Sequence, residues 1–215
     1  MSNDADISLL RKEQNYIEVG PEKLKLFYLN DKAVKGLLEK HATFDSDGRD
    51  LIEHMKTHDV KEGIYEGGFK VWEGTIDLAN FLLSRECAYS MEGKEVLDIG
   101  CGAGLLGVVA KKNKCSRVVM QDYNEAVLSC FTRNNFIVND VHMGNVDFVH
   151  GDWRDVLNDI QPMRLLAAKL EYFGVGGSIG GFLFHVRREG KLHARVLWTS
   201  KSAVPRKIIE LRKLR

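Results

Sequence analysis

The chain has 215 residues, 44% of them hydrophobic and 28% charged, with a formal net charge of +1. That length supports one ordinary domain with a real core, and the composition excludes a disordered or collagen-like chain. The near-zero charge excludes a strong overall preference for nucleic acid or a membrane surface. No apolar run reaches the ~20 residues needed to cross a bilayer, and nothing at the N-terminus reads as a secretory signal.

Residues 1–60 form an N-terminal extension of low apolar density, expected to be helical where it is ordered. Ser2 to Asp6 is expected to lack order. Lys32 to His41 reads as a helix with Asn30 or Asp31 as its cap. Ser46-Asp47-Gly48 is a loop signal, and Asp50 to His58 reads as a second helix. His54 and His58 share a helical face, but EHMKTH lacks the internal acid of a zinc-protease motif and no third ligand follows, so no metal site is expected.

The domain proper is expected over 61–215. GIYEGGFKVWEG is a Gly-rich, aromatic loop, and Thr75 to Cys87 has helical apolar spacing. Strand EVLDIG, helix Leu105 to Lys112, strand RVVMQD, helix Glu125 to Asn134 and strand NVDFVHGD then alternate. RLLAAK (164–169), LFHVRR, ARVLWTS and RKIIELRKL read as further strands, the last two as a hairpin at the C-terminal edge. Strands alternating with helices indicate an α/β class with a mainly parallel sheet.

The chemistry concentrates at VLDIGCGAGLLG, where Gly100, Gly102, Gly104 and Gly107 fall within eight residues. A strand–glycine turn–helix unit places ligand at the strand's carboxyl end, near a helix N-terminus. Gly102 to Gly107 matches GxGxxG, which alone is a weak dinucleotide signal. Asp98 weighs against a pyrophosphate, which its charge would repel, and for an ammonium. Asp122 ends the next strand about 20 residues on, where a carboxylate can accept from ribose hydroxyls. Tyr123 can cover an adenine face. Asp152 can accept from the adenine amino group, and the Trp153 indole can stack on the ring. Each acid has an alternative as a cap or turn residue; the three together with the glycines point to adenosyl binding. Trp72 offers a cation–π face or a core anchor. Cys101 inside the turn is read as a small side chain rather than a nucleophile. The four cysteines, with no CxxC pair, read as reduced thiols of a cytoplasmic and nuclear protein. From Arg187 onward the chain is basic, with Glu189 and Glu210 as its acids. It reads as a solvated edge or as a surface for weak RNA or ribosome contact.

GIYEGGFKVWEGTIDL, DIGCGAGLLG, QDYN, GDW and KLEYFGVGG together resemble the protein-histidine branch of the methyltransferase-like family, within the seven-strand S-adenosylmethionine methyltransferases. The resemblance covers about Val60 to Leu214. It implies a Rossmann-like seven-strand sheet, S-adenosyl-L-methionine as cofactor, and a protein substrate methylated on an imidazole nitrogen, in the family a large-subunit ribosomal protein. It implies cofactor contact at Trp72, Glu73, Gly74, Thr75, Asp98, Gly100, Gly102, Gln121, Asp122, Tyr123, Asn124, Asp152 and Trp153. Lys169, Tyr172, Phe173, Gly174, Gly176 and Gly177 match a segment nearer the protein substrate, and Glu73 and Tyr172 are the candidates for orienting the target ring. The sequence departs from the family between Trp153 and Arg164. The family has a helix, a fourth strand with an acid–x–x–aromatic motif, and another helix there; RDVLNDIQPM is too short for them. The sheet is therefore expected to lack one central strand unless RLLAAK takes its place. Other readings are a protein-lysine methyltransferase, or a fold kept for binding alone.

Overall fold

The computed structural model describes residues 4–42, 67–152, 166–167, 179–201 and 206–213. In chain order it runs α1 (Asp4–Lys12), β1 (Gln14–Val19), β2 (Leu24–Leu29), α2 (Asp31–Ala42), α3 (Glu73–Leu83), β3 (Glu95–Ile99), α4 (Leu105–Lys112) and β4 (Arg117–Asp122). Then come α5 (Glu125–Val127), a π-helical segment (Leu128–Thr132), α6 (Arg133–Val138), β5 (Val146–His150), β6 (Leu166–Ala167), α7 (Ile179–Glu189), β7 (Leu192–Thr199) and β8 (Lys207–Lys213).

The central sheet is parallel, in the order β5–β4–β3–β6. β4 is buried at every residue after Arg117, as a strand covered on both faces must be, and its Val-Val-Met run suits that place. β6 bears on the expectation about the missing strand: Leu166 and Ala167, the described residues of RLLAAK, pair with Leu97 and Asp98 of β3. α4 packs against β4 with very little clearance. A Cβ at Gly107 would stand 2.4 Å from the Met120 sulfur, so glycine there sets the helix–strand distance.

The N-terminal region departs from the sequence reading. α1 begins at Asp4, inside the stretch expected to lack order, and β1–β2 is an antiparallel hairpin where only helices were expected. Its cause is non-local. The outer edge of β2 is satisfied by two asparagines: Asn139 accepts from the Phe27 amide (2.9 Å) and donates to its carbonyl (2.6 Å), and Asn135 accepts from the Leu29 amide (2.9 Å). Val19, Leu26 and Leu29 join the same buried cluster as β4 and α4. The α2 cap is as expected, with the Ala33 amide donating to Asn30 Oδ1 at 3.0 Å.

At the C-terminal end, LFHVRR is part of α7 rather than a strand. Arg187 and Arg188 in its last turn suit the helix dipole, and Gly190 at φ +63° follows its end. β7 and β8 form the expected hairpin, as a two-stranded sheet of their own. The expected helix Asp50 to His58, with His54 and His58, lies outside the described residues.

Candidate active site

The turn between β3 and α4 carries Gly100, Gly102 and Gly104 at φ +64°, +49° and +71°, a left-handed run that side chains resist. At Gly102 a Cβ would also stand 3.0 Å from the Gly68 carbonyl oxygen. The end of β4 holds the turn's amides. Gly100 donates to Gln121 Oε1 (3.1 Å), Cys101 to the Gln121 carbonyl (2.8 Å) and Gly102 to Asp122 Oδ2 (2.8 Å). From the other side, the Thr132 hydroxyl donates to the Gly102 carbonyl (2.7 Å) and Asn135 Nδ2 to the Ala103 carbonyl (2.9 Å).

Parallel register brings the three acids to one end of the sheet, as the sequence suggested. Asp98 lies opposite Met120, Asp122 opposite His150, and Asp152 two residues past β5. Gln121 stitches these strand ends together, since its Nε2 also donates to the Gly151 carbonyl at 2.8 Å. Asp98 and Asp122 are each 4% exposed. Asp122 takes the Gly102 amide on one oxygen and the Asn124 amide on the other (3.3 Å). Asp98 Oδ2 is buried with no hydrogen-bond partner. Burial, and then the Asp122 charge, push the Asp98 carboxyl up to about 7, against the opposing Gly107 amide.

Asp98 lines a pocket at the carboxyl end of β3, together with Gly74, Thr75, Asp77, Gly100, Cys101 and Leu106. The facing wall is the β7–β8 hairpin, through Trp198, Arg206, Lys207 and Ile208. Arg206 pairs with Asp77 and with Glu73, both on α3. The sequence reading missed this wall. Its only signal was the bulk basicity of the tail, which says nothing about where one arginine lands.

The other predicted positions sort plainly. Gly74 and Thr75 reach the pocket; Glu73 stands at its rim, 78% exposed, its carboxylate held by Arg206. Trp72 donates from its indole to the Gly67 carbonyl (3.0 Å), with Lys70 Nζ 5.3 Å from a ring centroid. Tyr123 and Asn124 follow β4, half-buried near Asp122. Burial pushes the Cys101 thiol well up, so it is protonated and unreactive, as expected of a packing residue. Trp153, Lys169, Tyr172, Phe173, Gly174, Gly176 and Gly177 lie outside the described residues.

Comparisons agree with this geometry. The family described as "Methyltransferase small domain" matches residues 70–165, ending beside the shortened segment. A histidine protein methyltransferase 1 homolog of Dictyostelium discoideum is 32% identical over 167 residues, 62% of this chain and 53% of that protein. The Bos taurus homolog is 28% identical over 214 residues, 71% of this chain and 57% of that protein. The chain thus spans a little over half the length of these relatives. Among solved structures, a putative SAM-dependent methyltransferase from Streptococcus mutans aligns with a TM-score of 0.54 at 12% identity, over 93% of this chain and 55% of that one. That likeness shows the fold. Sequence match, glycine turn and fold thus all liken the chain to S-adenosylmethionine-dependent methyltransferases, and the two sequence relatives are histidine protein methyltransferase 1 homologs.

Proposed function

We propose that the chain binds S-adenosyl-L-methionine at the glycine turn and serves as a protein-histidine N-methyltransferase, with a large-subunit ribosomal protein as substrate. One observation carries the reading: a buried carboxylate oxygen without a partner, on Asp98, which lines a pocket beside the glycine-turn backbone at Gly100. The residues fit the cofactor. Asp98 suits an ammonium, Asp122 at the end of β4 suits ribose hydroxyls, and Gly102, at φ +49°, holds a backbone that side chains resist.

When bound, the cofactor supplies an electrophilic methyl on a sulfonium; the protein supplies position and a dry site. A histidine acceptor needs no strong base before attack, because an imidazole with a pKa near ~6.5 is mostly neutral at pH 7. What it needs is a group that holds the other ring nitrogen. Glu73 is the described candidate, and it must exchange its contact with Arg206 to do so. Tyr172 is the second candidate from sequence. The four free thiols support the cytoplasmic and nuclear setting that this proposal includes, and weak RNA or ribosome contact through the basic C-terminal segment is part of it.

A second reading, a fold kept for binding alone, is favoured by the shortness of the segment RDVLNDIQPM after Trp153. A thermal melt with S-adenosylhomocysteine separates the first step, because a ligand of the folded state must raise the melting temperature. Mass spectrometry of methylated ribosomal protein then distinguishes histidine from lysine products. A melt without a shift sinks the cofactor reading; a shift with no methylated product leaves binding alone.

A further inference from the structure

The helix after β4 carries a polar stripe through an otherwise apolar core. Thr132, Asn135 and Asn139 are 0%, 0% and 3% exposed, and their spacing puts them on one helical face. Thr132 closes the π-helical segment, and Asn135 sits in the first turn of α6. Such buried polar groups persist only with their hydrogen bonds made.

Every one of these bonds leads either to the glycine turn or to the N-terminal hairpin, apart from local contacts along the helix. Thr132 has one hydroxyl proton to give. The Gly102 carbonyl at 2.7 Å is a better acceptor than the Val127 carbonyl at 3.2 Å. The Thr132 methyl carbon occupies the space next to Gly104, 2.6 Å from where a Cβ there would lie. Asn135 faces both ways: Oδ1 accepts from Leu29 of the hairpin, and Nδ2 donates to Ala103 of the turn. Two hydrogen bonds therefore join β2 to the ligand-facing loop, and Asn139 anchors the same strand one residue pair away.

We propose that Thr132 and Asn135 are positioning residues for the glycine turn, and that the N-terminal hairpin orients Asn135 for this task. The inference rests on the cofactor reading above for its functional meaning. The two side chains pin the Gly102 and Ala103 carbonyls from behind, while Gln121 and Asp122 pin the amides from the strand side. The left-handed run is held from two sides before any ligand arrives, so its ordering is not charged against binding.

The test uses Thr132→Val, which keeps the shape and loses the hydroxyl, and Thr132→Ser, which keeps the hydroxyl. Asn135→Asp keeps the acceptor for Leu29 and loses the donor to Ala103. Hydrogen exchange is read at Gly102 to Leu105 against Val118 to Met120 of β4, and affinity for S-adenosylhomocysteine is read by calorimetry. In Thr132→Val and Asn135→Asp the turn amides exchange about tenfold faster relative to β4, and Kd rises about tenfold, the worth of one such bond. Thr132→Ser keeps both values within about threefold of wild type. Turn amides as protected in Thr132→Val as in wild type overturn the inference. Should Thr132→Val not fold, Thr132→Ser decides: a loosened turn despite the retained hydroxyl overturns the inference, and wild-type protection supports it. If the wild-type chain binds no S-adenosylhomocysteine but the exchange pattern holds, the cofactor reading fails and the positioning role stands.

Discussion

The guanidinium of Arg206 and the carboxylate of Asp77 meet across the mouth of the pocket, 129 residues apart in the chain. Each is about one-fifth exposed, so the pair is only partly screened. With Glu73 on the same arginine, the contact ties the C-terminal hairpin to the helix that follows the Gly-rich loop. Replacing Arg206 by Gln should cost about 1 kcal/mol, the upper end for a pair with this much solvent access, or about 2–4 °C in melting temperature for a chain of this size. The difference should shrink in high salt. An Arg206→Gln variant as stable as wild type in low salt would show that the hairpin is held by its apolar contacts alone.

Asp98 makes a pH-dependent prediction of definite sign. Its carboxyl in the folded protein sits at about 7, above the ordinary value of 3.8. The folded state therefore holds this proton more tightly than the unfolded chain does. The stabilisation is whole below about pH 4 and is lost as pH rises through 7. Asp98→Asn should gain stability relative to wild type between pH 5 and 8, in melts without ligand. Affinity for S-adenosylhomocysteine should move the opposite way in wild type, rising from pH 6 to pH 8 as the anion forms to meet the ammonium. In Asp98→Asn it should be flat and about 10–100-fold weaker, the worth of a charged hydrogen bond. Equal wild-type affinity at pH 6 and pH 8 would remove Asp98 from the ligand.

Two glycines of the motif should fail differently. Gly102→Ala forces a side chain into a left-handed backbone, worth about 1–2 kcal/mol, and sets its Cβ against the Gly68 carbonyl. It should abolish ligand-induced stabilisation in the thermal melt. Gly107→Ala pushes on the Met120 sulfur, the far end of a flexible but fully buried side chain. It should cost about 1–3 kcal/mol of overpacking while leaving most of the ligand-induced shift in place.

Thiol labelling gives a check on the core. Cys101, Cys115 and Cys130 are buried and Cys87 is partly exposed. Desolvation raises all four thiols, Cys101 furthest. A native-state alkylation series should therefore modify Cys87 first and Cys101 only on unfolding. Early labelling of Cys101 would mean that the glycine turn opens readily.

The β3–α4–β4 unit was legible because its signals are local: a short apolar strand, glycines at fixed offsets, a helix with lysines in its last turn, and a strand ending in an acid. The hairpin at Gln14–Leu29 was not, because its outer edge is completed by Asn135 and Asn139, more than a hundred residues on. LFHVRR misled because a short apolar run fits a strand or a helix equally well. Val186 is buried while Phe184 is 63% exposed, a pattern that only the packing of α7 decides. At the site, the acids at the strand ends could be anticipated because parallel register collects carboxyl ends together. Arg206 could not, because no spacing in the sequence tells which cation of a basic hairpin will face the acids of a helix far upstream.

Among the described residues, the main hydrophobic cluster draws its buried members from Val19 to Val138, and its partly buried neighbours extend to Phe148. Val186 and Ile209 are buried too, but outside it. Among the described residues, the side chains that hold the glycine turn, Gln121, Asp122, Thr132 and Asn135, all precede in chain order the wall that faces it. During synthesis from the N-terminus, β1 to β5 can assemble and set the turn while α7 and the β7–β8 hairpin are still being made. Arg206 then arrives at acids already in place.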